Sequence, residues 1–370
     1  MKDALPCVEG NEGARLDPTA LVRRGGPDRG GRDWLGRLAA LVRYLPMLPV
    51  VVIATFVFSV RVDGFTSAAN AQNIMRQLAV ILIGVSGETM VLLMGGIDLS
   101  VGATIGLASV CGALTMHATG SIALGLLACV AVGCVVGGLN GLAVSRLRLQ
   151  PFIMTFGMML TIRAIAFLLT GGRSLGRLPT ALLRQGLKTV YGMPQIFLIG
   201  MAVAAVMAFM LRKTVFGQSI YLAGANPRAA RFNGINVPLL EFWVFLLAGG
   251  LAGTAGFVFM MRLGAATPTA GDPLLLQIVG AAVLGGTSLS GGEGGILRSM
   301  TGCLLIVMLN NVLELLDAQF WDQMIVVGIL IALGSALGSW LSRRRSSERP
   351  ERVLATAVAP EEPRSAETIA

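Results

Sequence analysis

Long apolar runs dominate this sequence and restrict what it can fold into. Residues 196–211 and 242–261 contain no charged side chain, and similar runs recur along most of the chain. About 20 consecutive apolar residues are enough for one helix to cross a bilayer. Hydrophobic residues make up 54% of the sequence and charged residues 13%, against roughly 25% charged in an average soluble domain. The sequence therefore predicts an integral membrane protein built from helices.

Ten segments have the composition expected of membrane spans. They lie near residues 44–60, 74–94, 99–117, 121–145, 152–171, 195–211, 239–261, 274–289, 296–315 and 322–341. The first and the eighth of these segments are short. The predicted fold class is an all-α integral membrane protein, a polytopic bundle of about ten transmembrane helices within residues 44–341.

The basic residues predict the orientation, because loops rich in Lys and Arg stay in the cytoplasm. Residues 1–43 are polar and rich in Gly and Arg, and we expect a disordered cytoplasmic tail there and another at 342–370. Alternate loops also carry basic residues, at Arg146, Arg148, Arg212, Lys213, Arg228, Arg231, Arg343, Arg344 and Arg345. Both termini are thus predicted to be cytoplasmic. The net charge of +9 then needs no nucleic-acid partner, since no basic face interleaved with aromatic residues is present.

One loop departs from this pattern. Residues 172–194 fall on the outer side, yet they include Arg173, Arg177, Arg184 and Lys188. The length of the loop, with Pro179 and several leucines, predicts a short amphipathic helix on the outer surface.

Glycine residues recur at the spacing that lets membrane helices approach closely. Gly133, Gly137 and Gly141 are four residues apart, as are Gly249 and Gly253. The pattern predicts close helix contacts and leaves open whether they lie within one bundle or between two copies.

A glycine-rich turn with one acid, Asp98, joins two apolar runs at residues 94–106. Asp just before an apolar helix is a favoured N-cap, so we expect Asp98 to cap the following helix. The pattern G-G-x-x-L-S-x-G at 95–102 occurs again at 285–292, and both turns fall on the predicted cytoplasmic side. The repeated pattern is consistent with two structurally related halves of the chain or with chance similarity between glycine-rich turns.

Few ionisable side chains lie inside predicted spans, where charges are costly. Glu88 sits among small and polar residues, which favours a hydrogen bond to a neighbouring helix and otherwise a contact with solute or a proton. Arg163 either pairs with Glu88 or another acid, or extends towards the membrane surface. With Asp98, these residues are the candidates for the translocation path or gate.

The sequence of the segment 224–234 predicts a short cytoplasmic helix. Pro227 follows Asn226 at a suitable first helical position, two arginines follow, and Asn233-Gly234 closes the segment. The residues alone leave two interpretations, a surface that docks into a partner and an ordinary connecting helix.

Catalytic chemistry is poorly represented. His117 is the single histidine, and the five cysteines lack metal-ligand spacing. The run Leu289-Ser290-Gly291-Gly292-Glu293 looks like the signature loop of an ABC ATPase, but no Gly-Lys pair is present to form a phosphate-binding loop. We expect no catalytic residue, metal or cofactor on this chain, and any ATP hydrolysis must come from another chain.

Several stretches together resemble the permease subunit of the ribose-type family of bacterial ABC sugar importers. They are the two glycine-rich turns, Asn140-Gly141, Gln150-Pro151-Phe152-Ile153, Gly157-Met158, Arg163, Leu169 to Arg173, and Gly224 to Ala230. The resemblance covers roughly residues 65–340 in family order. The Arg-rich start and Glu293 depart from the pattern and receive no role from it.

The resemblance implies an importer in the bacterial inner membrane in which two permease copies, or one and a relative, form the path for a monosaccharide or similar solute. A periplasmic solute-binding protein would deliver solute, and two cytoplasmic ATPase subunits would bind ATP and Mg. The implied ATPase-coupling loop comprises Gly224, Asn226, Pro227, Arg228, Ala229, Ala230, Arg231 and Gly234. The alternative is an ion-coupled secondary transporter, for which the buried candidates are Glu88, Arg163 and Asp98.

Overall fold

A computed structural model describes residues 44–319 and 321–334. The predicted tails at 1–43 and 342–370 lie outside the described residues. Helices form almost all of the regular structure. They are α1 (Leu48–Arg61), α2 (Ala68–Leu93), α3 (Val101–Thr119), α4 (Ile122–Ser145), α5 (Pro151–Thr170), α6 (Thr180–Leu187), α7 (Gln195–Lys213), α8 (Val215–Ala225), α9 (Pro227–Phe232), α10 (Val237–Leu263), α11 (Asp272–Leu284), α12 (Ile296–Leu315) and α13 (Trp321–Gly334).

The helical, polytopic architecture is confirmed. In the described part of the chain, seven helices are long and apolar enough to cross a membrane: α2, α3, α4, α5, α7, α10 and α12. The helices α1, α11 and α13 are apolar but shorter. Helix α2 is almost entirely buried, whereas α4, α5 and α7 expose most of their surface. The bundle is therefore built around α2 and presents apolar side chains outwards, as a lipid environment requires.

The glycine spacing serves contacts within one chain. Gly133 and Gly137 of α4 face Gly249 and Gly253 of α10, and a Cβ atom on Gly133 would collide with the carbonyl oxygen of Gly249. A Cβ atom on Gly137 would lie 3.0 Å from the Cα atom of Gly249. Side chains larger than hydrogen would force α4 and α10 apart.

Two helices begin inside the bundle rather than at its surface. The backbone N–H of Asp98 bonds to the carboxylate of Glu88, which lies well before the end of α2 at Leu93. The segment between α2 and α3 therefore turns back into the bundle before α3 starts. Helix α11 starts beside it, because Gly271 and Gly102 touch through their backbones.

The loop between α5 and α7 contains the predicted short helix, α6, whose apolar face packs onto the bundle. Leu182 is fully buried, and Gly186 abuts the backbone of Met261. A two-stranded hairpin follows, which the all-α prediction did not include: β1 (Thr189–Val190) pairs antiparallel with β2 (Met193–Pro194). Its turn residues Tyr191 and Gly192 have φ angles of 51° and 80°, as tight hairpin turns require.

Candidate functional site

The segment 224–234 forms a defined structure between α8 and α10. Asn226 caps α9, because its side-chain oxygen accepts hydrogen bonds of 3.1 Å from the backbone N–H groups of Arg228 and Ala229. Pro227 occupies the first turn, where a missing N–H is harmless. The predicted short helix is confirmed, at Pro227–Phe232.

Within α9 one side chain faces the bundle and the others point outwards. Ala230 is buried, whereas Arg228, Arg231 and Asn233 are exposed. Phe232 is 93% exposed, and it is not among the residues that the sequence patterns predict to be functional. Aromatic and Arg side chains on a protruding surface are typical anchors of protein–protein interfaces. The signal was present in the sequence as an aromatic residue between two polar ones in an otherwise polar loop.

The base of the segment is joined to both glycine-rich turns. The N–H of Gly292 donates to the carbonyl oxygen of Leu93 at 2.9 Å. A Cβ atom on Gly224 would collide with that same carbonyl and lie 2.8 Å from the Gly292 nitrogen. The two turns and the segment therefore meet at one end of the bundle, as the predicted topology requires.

An open cleft of about 690 Å³ lies beside this junction. Its walls come from the first glycine-rich turn, the link between α4 and α5, and the start of α10. Arg148, Arg231 and Glu241 contribute its charged groups. The end of the bundle that carries the segment thus has both a protruding helix and a recess next to it.

Asp98 does not cap α3 in the predicted way. Ser100 occupies the N-cap position, and its side chain makes no capping bond. Asp98 instead accepts hydrogen bonds from the backbone N–H of Ser100 at 2.8 Å and from its hydroxyl at 2.6 Å. Asp98 therefore fixes the turn that precedes the helix, because its short side chain reaches two residues ahead.

Glu88 is 1% exposed and belongs to the same buried network. Its Oε1 atom accepts the Asp98 N–H at 3.2 Å, and its Oε2 atom has no partner among the described residues. Asn140 donates to the Ser100 hydroxyl at 2.9 Å, and Thr155 bonds the backbone of Leu99 at 3.1 Å. The bond of Glu88 thus goes to the turn after its own helix and not, as predicted, to a neighbouring helix.

Arg163 lies apart from this network. Its Nη2 atom is 2.8 Å from Oδ2 of Asp272, and the two side chains are 41% and 35% exposed. Pairing with another acid is confirmed, and pairing with Glu88 is wrong. Helices α5 and α11 are tied together by this ion pair. Within the described ranges, no group of three or more His, Cys, Asp or Glu side chains is arranged to hold a metal.

Comparison with known proteins identifies the family. Residues 70–334 match the family described as "Branched-chain amino acid transport system / permease component". The chain belongs to this permease family. It is a multi-pass protein of the bacterial inner membrane, and the permease resemblance that the motifs indicate is confirmed.

Curated relatives align over most of their length. The ribose import permease protein of Haemophilus influenzae is 34% identical over 82% of this chain and 95% of its own. The ribose import permease protein of Escherichia coli K12 is 35% identical over 82% and 93%. The autoinducer 2 import system permease protein of Salmonella paratyphi B is 30% identical over 76% and 82%. These relatives are permease subunits, and none is named as an enzyme.

Proposed function

We propose that this chain is the membrane-spanning permease subunit of an ATP-driven importer for a monosaccharide or a similar small polar solute. The relatives named above import ribose or autoinducer 2. The observation that carries the proposal is the capped helix α9, which projects Phe232 from the end of the bundle where both glycine-rich turns meet. In the proposed topology about ten spans cross the membrane, and both termini lie in the cytoplasm.

The coupling step follows from how α9 is held. ATP and Mg bind to separate ATPase subunits, and this chain holds neither. Phe232 inserts into a groove of the ATPase, and Arg228 and Arg231 contact the rim of that groove. Because the base of the segment abuts Leu93 and Gly292, movement of the docked ATPase displaces both turns together. Rigid displacement of packed helices then alternates access to the path.

The opposite end fits a solute-binding protein. Arg173, Arg177, Arg184 and Lys188 are all exposed in the outer loop, against the usual bias of basic residues towards the cytoplasm. A periplasmic binding protein with acidic surface patches is the partner whose charge complements this loop.

A second permease copy completes the path. Helices α4, α5 and α7 leave most of their surface uncovered within one chain. These faces are available to lipid and to the second copy, identical or related. A path between two copies also explains why Glu88 and Arg163 do not converge in one bundle.

The docking surface is tested by copurification of the ATPase with the permease. Phe232→Ala, and separately the double change Arg228→Glu with Arg231→Glu, should weaken ATPase binding roughly 30-fold, as loss of an interface anchor worth about 2 kcal/mol does. Tyr191→Ala is the matched control, because Tyr191 is 99% exposed at the outer hairpin. Unchanged copurification of the Phe232 and Arg variants would remove this segment as the dock.

The transport class is tested in proteoliposomes containing the permease, the ATPase and the binding protein. Uptake should require ATP on the side of the membrane where the ATPase is bound, and it should persist when ion gradients are dissipated. Uptake that continues without ATP and the ATPase, driven by an ion gradient, would establish the secondary-transporter alternative instead.

A further inference from the structure

The ion pair between α5 and α11 lies at membrane depth with its charges partly uncovered. Arg163 and Asp272 are joined at 2.8 Å, and their side chains are 41% and 35% exposed. Helix α5 begins, and α11 ends, beside the glycine-rich turns. Arg163 follows Pro151 by twelve residues and Asp272 precedes Leu284 by twelve, so both stand about 18 Å from that end of the bundle. The hydrocarbon core is about 30 Å thick, and the pair therefore lies well inside it.

Lipid is an unsuitable cover for these two charges. Ionisable groups within membrane spans face packed protein or a water-filled cavity, because acyl chains do not solvate charge. Helix α2 fills the centre of the bundle, and most of the surface of α5 is exposed at its periphery. The uncovered side of the pair therefore meets water or another protein chain.

The face of α5 that carries Arg163 differs from the opposite face of the same helix. Phe156 and Leu160 lie seven and three residues before Arg163, and Phe167 lies four residues after it, which places all three on its side of the helix. They are 45%, 51% and 37% exposed. Ile165, two residues beyond Arg163, falls on the opposite side and is 40% exposed. One exposed face of α5 is therefore charged and aromatic, and the other is uncharged.

We propose that the charged face, made of Phe156, Leu160, Arg163 and Phe167 with Asp272 beside them, is turned towards a second copy of this chain across a water-filled gap. The inference rests on the proposed function, in which a second copy completes the path, and it names the surface that lines this path. Water in the gap keeps the ion pair solvated, as its exposure requires.

Charge complementarity favours a second copy as the partner. Both copies must have the same orientation in the membrane, so the twofold axis that relates them runs along the membrane normal. Arg163 and Asp272 lie at the same depth, and such an axis reverses their order. Arg163 of one copy then lies opposite Asp272 of the partner subunit. The charged face is thus complementary to itself, and opposite charges across the gap fix the register of the two copies.

The first measurement asks whether water reaches the charged face. Leu160→Cys and Ile165→Cys are compared in the complete transporter in proteoliposomes, with and without ATP, by reaction with a charged methanethiosulfonate. The unsubstituted chain, which has five cysteines, gives the baseline. Leu160→Cys should react at least about 10-fold faster than Ile165→Cys, because a thiol reacts as its thiolate and hydrocarbon does not stabilise that charge. Phe156→Cys repeats the measurement at a second position of the charged face.

The second measurement asks what lies across the gap. Bismaleimide reagents of graded length should join two copies through Leu160→Cys or Phe156→Cys, and Ile165→Cys should need longer reagents or remain unjoined. Joining without labelling by the charged reagent would show a dry contact, and labelling without joining would show a cavity that no second copy closes. Each of these results overturns the proposal, as does equal behaviour of the Leu160 and Ile165 variants. Labelling and joining without ATP-driven uptake would support the charged face and contradict the proposed function.

Discussion

The junction between the docking segment and the glycine-rich turns can be tested by a single methyl group at Gly224. A Cβ atom there collides with the carbonyl oxygen of Leu93 and lies 2.8 Å from the backbone nitrogen of Gly292. Both neighbours are backbone atoms, and they are bonded to each other at 2.9 Å. No side-chain rotation can relieve the contact, so Gly224→Ala must move α8 away from the turns.

The expected effect follows from opposing contributions. Overpacking a tight contact costs about 1–3 kcal/mol, and weakening the bond between Gly292 and Leu93 adds about 0.5–1.5 kcal/mol. Replacing a helical glycine by alanine returns roughly 0.5–1 kcal/mol. We therefore expect Gly224→Ala to lower the free energy of unfolding by about 1–3 kcal/mol in graded SDS. We also expect less solute transported per ATP hydrolysed, because the segment no longer holds both turns.

Gly157→Ala is the matched control. Gly157 lies inside α5, and a Cβ atom there meets nothing within 4 Å. This variant should be neutral or more stable by up to about 1 kcal/mol, with unchanged coupling. If Gly224→Ala is no less stable than Gly157→Ala and transports as much solute per ATP, the junction does not transmit movement as proposed.

Three further changes test the buried network and its surroundings. Glu88→Leu leaves the Asp98 N–H without its acceptor and should cost about 1–3 kcal/mol in SDS unfolding, whereas Glu88→Gln keeps an oxygen there and should cost less; equal losses would contradict the assigned bond. Asn226→Ala removes the cap of α9 and should lower ATPase copurification through a loss of about 1 kcal/mol, while Asn226→Asp should retain binding. A double-mutant cycle on Arg163 and Asp272 should give a coupling energy of at most about 1 kcal/mol, because both side chains are substantially exposed; a larger value would show that the pair is desolvated in the working transporter.

The positions of the helices follow closely from the hydrophobic pattern, and their ends do not. Each of the ten predicted segments overlaps a helix of the described part, and the first and eighth segments, both short, correspond to the short helices α1 and α11. The predicted eighth span, 274–289, runs past the end of α11 at Leu284. Apolar composition continues through the glycines there, but Gly286 has a φ angle of 91°, which ends a helix whatever the hydropathy.

The residues of the candidate site likewise differ in how far along the sequence their partners lie. Asn226 and Pro227 predict the start of α9 from the sequence alone, because the capping bonds join residues at most three positions apart. The partner of Arg163 lies more than one hundred residues away, at Asp272, and no local pattern specifies it. Asp98 failed as a predicted cap because the chain turns back towards Glu88 before α3 begins. That return is a tertiary feature.

The repeated G-G-x-x-L-S-x-G pattern is explained by helix capping. In each turn a glycine with positive φ donates to the carbonyl three residues back, and the next residue donates to the carbonyl five residues back. The capping glycines are Gly95 and Gly286, yet the pattern aligns Gly95 with Gly285. Beyond the caps the turns diverge, since Asp98 is buried whereas Ser288, at the matching position of the second pattern, is partly exposed. Two halves related by duplication would superpose the same motif positions, whereas one shared cap motif requires only a left-handed glycine at the helix end.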